Sequence, residues 1–241
     1  MIEIVVINLI IFAGALVQGI LGFGLGVVCA PIIFLINPQY LPAPLILLST
    51  VLTSAIIIIN RSELSLSLVK WPVAGQAVGI VTAALLLASI NEVIFGLVFA
   101  LLLILAVMLT SFQFRLAINP VTGGLCGFIS GFSGTVVAIG GPPMALLFHS
   151  LPAKSVLTNL SSFFLVGCLM ALVALALVNE LTLDDGIIAL KLLPGLILGF
   201  NASRFLRNRI NPAWVKNGAL ILSGLVGVYL LLRYGMIIIK E

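Results

Sequence analysis

Apolar residues run through this chain in long blocks, without the strict alternation of a half-buried strand or the narrow stripe of a surface helix. Charged and turn-forming residues cut it into eight blocks: residues 4–36, 43–60, 71–90, 93–112, 121–150, 156–178, 186–203 and 213–232. Such blocks predict membrane helices, because in lipid each backbone N–H and C=O must be paired internally. Two of them do not suit a single crossing. Residues 4–36 and 121–150 each hold thirty or more residues, about 45–50 Å as one helix against a hydrocarbon core of about 30 Å. Each is too long for one crossing and short for two. Each also holds the residues that fit a helix worst, GILGFGLG with Pro31 in the first and GFSGTVVAIGGPP in the second. A broken helix or a hairpin of short helices is predicted in both.

The two broken blocks also open what reads as an internal duplication. A shift of 109 residues sets Gly22-Phe23 on Gly131-Phe132, and Thr50 and Thr53 on Asn159 and Ser162. A shift of 122 sets Gly96 on Gly218 and Pro72 on Pro194. The halves are residues 1–117 and 118–241, together one transport domain.

Composition agrees with a membrane location: 62% of the 241 residues are hydrophobic, 7% are charged, and mean hydropathy is +1.37. A soluble domain carries roughly 25% charged residues. Met1-Ile2-Glu3 lacks the basic start and small-residue cleavage site of a signal peptide, so the first block is expected to stay in the mature protein. Cys29, Cys126 and Cys168 lie in apolar blocks without metal-ligand spacing and read as small buried residues.

Charge placement predicts the threading. If each long block goes in and comes back out, Arg61, Lys70, Arg115, Lys154, Arg204, Arg207, Arg209 and Lys216 share one side with Glu63. Lys191, Arg233 and Lys240 fall on the other side with Glu3, Glu92, Glu180, Asp184, Asp185 and Glu241. That is eight basic residues against three, where single crossings give six against five, and the positive-inside rule makes the first side cytoplasmic. Both termini are then extracytoplasmic and the halves are inserted upside down. The fold class is an all-α integral membrane protein of two inverted-topology repeats, each a broken helix or short-helix hairpin followed by three transmembrane helices. In such architectures the substrate site lies at the repeat interface, near the midplane.

The breaks suggest the chemistry. Glycines let the backbone turn, prolines suit the first turn of the next helix, and the freed N–H groups there attract an anion without a charged side chain. Ser133 and Thr135, with Thr50, Thr53, Asn159 and Ser162, offer hydroxyl and amide donors. No Asp, Glu, Lys or Arg falls near the middle of a block under this threading, which disfavours carboxylate-based proton coupling. The single histidine, His149, reads as an interfacial side chain. The net charge of +4 has no basic domain behind it, so nucleic acid is excluded as a partner. The expected partners are a small anion and the bilayer, with a homo-oligomer left open and no cofactor.

GILGFGLGVVCAPIIFL at 19–35 and GFISGFSGTVVAIGGPPMALLF at 127–148 resemble the paired glycine-rich blocks of the TauE/SafE sulfite exporter family. The resemblance covers essentially the whole chain. It implies export of a small sulfur-containing anion, such as sulfite, sulfoacetate or a related organosulfonate, across a prokaryotic inner membrane. It places the glycine blocks at Gly22, Phe23, Gly24 and Pro31, and at Gly131, Phe132, Ser133, Gly134, Gly140, Gly141, Pro142 and Pro143. The single Pro31 facing Pro142-Pro143 marks the pair as unequal. Two other readings share features of the chain. An anion channel has the same architecture. An intramembrane serine protease is suggested by Gly131-Phe132-Ser133-Gly134, but its base would be His149, sixteen residues on and about 24 Å away along a continuous helix.

Overall fold

The computed structural model describes residues 2–61, 64–111, 116–207, 209 and 211–240. Arg115, Glu63, Glu241 and the end of the fourth predicted block, Phe112, lie outside the described residues. Within them the chain is all helical: α1 (Ile2–Leu21), α2 (Leu25–Ile36), a short 3-10 turn (Pro38–Tyr40), α3 (Ala43–Asn60), α4 (Leu66–Leu87), α5 (Glu92–Ser111), α6 (Pro120–Val137), α7 (Gly141–Leu147), α8 (Ala153–Leu177), α9 (Leu183–Leu206) and α10 (Pro212–Lys240). Eight of these are long and apolar enough to cross a bilayer; α2, with 12 residues, and α7, with 7, are the exceptions. This is a multi-pass membrane protein.

Each long block is a full helix followed by a short one that turns back. Gly22 and Gly24 take φ of 86° and 138°, conformations that an L side chain resists, and they reverse the chain after α1. α2 then packs along α1, with Cys29 Sγ 3.3 Å from the Ile10 carbonyl, and Asn37 closes the hairpin through Nδ2 to Glu3 Oε1 at 3.0 Å. The block therefore begins and ends at one end of the bundle. A 12-residue helix is about 18 Å long, too short to cross a hydrocarbon core of about 30 Å. In the second block the turn falls at Ala138–Gly140, with Ala138 left-handed at φ 57° and the Ile139 N–H reaching back to Ser133 O at 3.3 Å.

Two expectations are corrected here. GFSG at 131–134 is not part of the break; it lies inside α6. The helix continues through it because close packing on α4 requires small residues there: a Cβ on Gly131 would overlap the Gln76 carbonyl oxygen, and one on Gly127 the Pro72 carbonyl. Gly131-Phe132 therefore does not occupy the place of Gly22-Phe23, and it is Gly24 and Gly140 that each precede a short helix. Pro31, expected in a first turn, is the seventh residue of α2. Its missing N–H frees the Val27 carbonyl four residues back, and Ser223 Oγ of α10 donates to that oxygen at 2.7 Å. Pro142 and Pro143 do occupy the first turn of α7.

Helix registers follow from the glycine contacts. Gly75 meets Gly124 and Gly79 meets Phe128, so α4 and α6 run parallel. Gly195 meets Asn8 and Gly199 meets Phe12, so α1 and α9 run parallel. α8 follows α4, with Asn159 on Ser65 and Gly167 on Gln76. Since α9 returns from α8, α1 and α6 point in opposite directions. The packing pairs also interchange when α1–α5 are exchanged with α6–α10: α1/α9 with α4/α6, α3/α9 with α4/α8, and α2/α10 with α5/α7. Asn8 adds a polar graft on α9 beside Pro194, donating from Nδ2 to Lys191 O at 3.0 Å and accepting the Gly195 N–H at 2.8 Å.

The α4/α6 contact is testable at two neighbouring glycines. Gly127→Ala should lower the unfolding free energy in detergent by about 1–3 kcal/mol through overpacking. Gly124→Ala, whose Cβ would meet open space, should change it by less than about 0.5 kcal/mol. Thermal unfolding of the two purified variants measures the difference, and equal stability would contradict the register.

Candidate functional site

The two breaks meet. A Cβ on Gly26 would overlap the Ala138 carbonyl oxygen, and one on Gly141 would lie 2.7 Å from the Phe23 ring. Between them lies a cavity of about 60 Å³, walled by α1, α3, α4, α6 and α8 and by the starts of α2 and α7. No acidic, basic or histidine side chain among the described residues lines it.

Seven expected residues converge on this cavity: Phe23, Gly24, Gly131, Gly134, Thr135, Gly140 and Gly141. The others are placed elsewhere. Gly22 forms the turn and packs on Leu157. Pro31 and Pro142 lie away from the cavity wall, and Phe132 stacks on Phe128 with ring centroids 6.4 Å apart. Thr50 and Thr53 turn their hydroxyls onto the α3 backbone, to Ile46 O at 2.9 Å and Ser49 O at 2.7 Å. Asn159 accepts the Ser65 N–H at 2.8 Å, which ties α8 to the residue before α4, and Ser162 donates to Asn159 O at 2.9 Å within α8. Ser133 bonds the carbonyls of Ile129 and Ile139, each at 2.8 Å, pinning the break to its own helix. The His149 ring bonds Leu146 O at 2.9 Å at an exposed position. These two side chains form no nucleophile–base pair.

The polar chemistry of the cavity comes from Thr135, expected as a donor, and from two glutamines that the motifs do not include. Gln18 is 3% exposed; its Oε1 accepts the Leu25 N–H at 3.1 Å, which fixes the amide and leaves Nε2 without a partner. Gln76, 4% exposed, has an unpartnered Oε1, and Thr135, 1% exposed, an unpartnered Oγ1. Among the described residues only Ser161 Oγ is a further buried side-chain polar atom of this kind, and it does not line the cavity. An unmade buried hydrogen bond costs about 1–3 kcal/mol, so gathering three at one cavity favours a polar guest. The signal was present: Gln18 and Gln76 are the only glutamines inside the predicted blocks. A search for intramembrane charge does not register a neutral amide.

Backbone donors are distributed unequally. Gly26 and Val27 line the cavity from the first turn of α2, where N–H groups have no partner within the helix. At the opposing α7, Pro142 and Pro143 carry no N–H, which leaves Gly141 as the donor of that turn. Ser130 Oγ bonds the Gly140 carbonyl, so that oxygen is engaged away from a guest.

A protein-family model described as Sulfite exporter TauE/SafE matches residues 7–230. No curated protein sequence and no solved structure gives a significant match.

Thr135→Val, of nearly the same shape, removes a hydroxyl that bonds no protein atom. Protein without added anion should become more stable, by about 1–2 kcal/mol. A lowered melting temperature in detergent would mean that Thr135 Oγ1 is bonded after all.

Proposed function

Since the chain belongs to the TauE/SafE sulfite exporter family, we propose that it carries a small sulfur oxyanion, sulfite first among them, outward through the cavity where the two breaks meet. The observation that carries this reading is the pairing of two buried, unpartnered donors, Gln18 Nε2 and Thr135 Oγ1, with the open first turn of α2, in a cavity without a charged side chain. Gln76 presents its Oε1, an acceptor, and donates to an anion only with its amide turned over. Neutral donors and a helix start hold an anion without the cost of burying a cation. Size narrows the class. A water needs about 10–15 Å³ of such space, so the roughly 60 Å³ here matches the four heavy atoms of sulfite better than a sulfonate with a carbon tail.

In this reading residues 1–117 and 118–241 are inverted repeats, a view supported by the opposite directions of α1 and α6 and by the interchange of packing pairs. The end bearing Arg61, Lys154, Arg204 and Arg207 is cytoplasmic in a prokaryotic inner membrane, with both termini outside. An inside-negative potential then drives an anion outward by about 2.3 kcal/mol per charge per 100 mV, and no proton relay is required.

Sulfite efflux from proteoliposomes tests the site. Gln18→Leu and Gln76→Leu should each reduce it by about tenfold or more, a loss of about 1.4 kcal/mol, with protein content unchanged; wild-type flux in both removes the assignment. Saturable exchange at slow turnover supports a carrier, whereas single-channel currents in planar bilayers would make it a channel. Cysteine labelling of the Lys154 loop from outside only would reverse the orientation.

A further inference from the structure

A second polar recess lies toward the basic end of the bundle, where α9 passes α1, α3 and the start of α8. It measures about 190 Å³, and Arg204, Arg207, Ser203 and Asn60 supply its polar wall. Its other wall includes Gly19 and Leu157. Gly19 is one residue from Gln18, and the Leu157 backbone is what Gly22 rests on. The recess thus backs directly onto the first break.

Arg204, in the last turn of α9, and Arg207, its helical C-cap, are three residues apart and so share a face. Among the described residues neither forms an ion pair, and no Asp or Glu lines the recess. Arg207 is only partly exposed. Placement near the end of α9 accounts for positive charge there through the helix dipole. It does not account for a recess beside the break that both arginines line, Arg204 from an exposed position. Two guanidinium groups at one recess suit the oxygens of a small oxyanion, which a guanidinium binds through paired hydrogen bonds.

We propose that this recess is a second oxyanion site, open to solvent, that receives the anion before it enters the buried cavity. The proposal rests on the reading of that cavity as the transport site. The recess binds by charge and is therefore weakened by salt, whereas the buried cavity binds by neutral donors and is not. A phospholipid headgroup offers the same chemistry as a free anion, and bilayer composition separates the two sources.

Equilibrium binding of radiolabelled sulfite to the full chain in phosphatidylcholine nanodiscs should resolve two components, a tight one insensitive to salt and a weaker one that fades as salt rises. The Arg204→Gln/Arg207→Gln double variant should lose the weak component and keep the tight one; Gln18→Leu should do the reverse. If the arginine-to-glutamine variant does not fold, Arg204→Lys/Arg207→Lys, which keeps charge but not the fork, should weaken that component by about tenfold. A weak component unchanged in both arginine variants overturns the proposal and leaves the buried site standing. Its disappearance when phosphatidylglycerol is added to the discs overturns it as well, in favour of a lipid headgroup. Loss of neither component in Gln18→Leu counts against the buried cavity alone.

Discussion

A backbone that leaves its helix inside lipid has to find a partner for every N–H and C=O it frees. Two reversals of the chain within the apolar bundle make this the governing constraint on the molecule. The repairs are individual. Gln18 Oε1 takes the Leu25 N–H, Ser133 and Ser130 hold the carbonyls of Ile139 and Gly140, and Ser223 reaches across from α10 to the oxygen that Pro31 orphans. Beside Pro194, Asn8 replaces a missing rung of the α9 ladder with its own amide. Small polar side chains that look incidental in an apolar sequence are therefore the mortar of the fold.

Close helix packing follows from the same constraint. Among apolar helices in lipid there is little hydrophobic gain from association, so backbones must approach until packing supplies the attraction. The glycines of α4 and α6 let the carbonyls of one helix lie directly against the backbone of the other along that parallel pair, and Gly195 and Gly199 do so between α9 and α1. An aromatic group anchors the first short helix: Phe34 lies 4.2 Å from Phe99 and 6.1 Å from Tyr234, which ties α2 to α5 and α10. The α1 hairpin is held from outside as well as along its own length.

Much of this was legible in residue order. Block lengths that suited neither one crossing nor two led to hairpins, and Asn37 returning to Glu3 bears that out for the first. The glycine motif misled at one point, because the two jobs of glycine look alike in a sequence: Gly24 turns the chain, whereas Gly131 admits a neighbouring helix. Pattern alone does not distinguish φ from proximity. The polar residues picked for donors, Thr50, Thr53, Asn159 and Ser162, commit their hydrogen bonds to nearby backbone, as hydroxyls and amides in helices readily do. Gln18 and Gln76 stayed hidden because their significance depends on depth and facing, which emerge only when five helices are placed around them.

Pro142 and Pro143 give the cavity a handedness of function. Two successive residues without an N–H make the α7 face poor in donors, while α2 opposite presents the open amides of Gly26 and Val27 beside Gln18. In the proposed transport reading an anion here is held by the first hairpin, and α7 is the donor-poor jaw. If the halves move against one another in that cycle, the cargo would stay with the α1–α2 arm and pass over α7 without having to be let go by two equal hands.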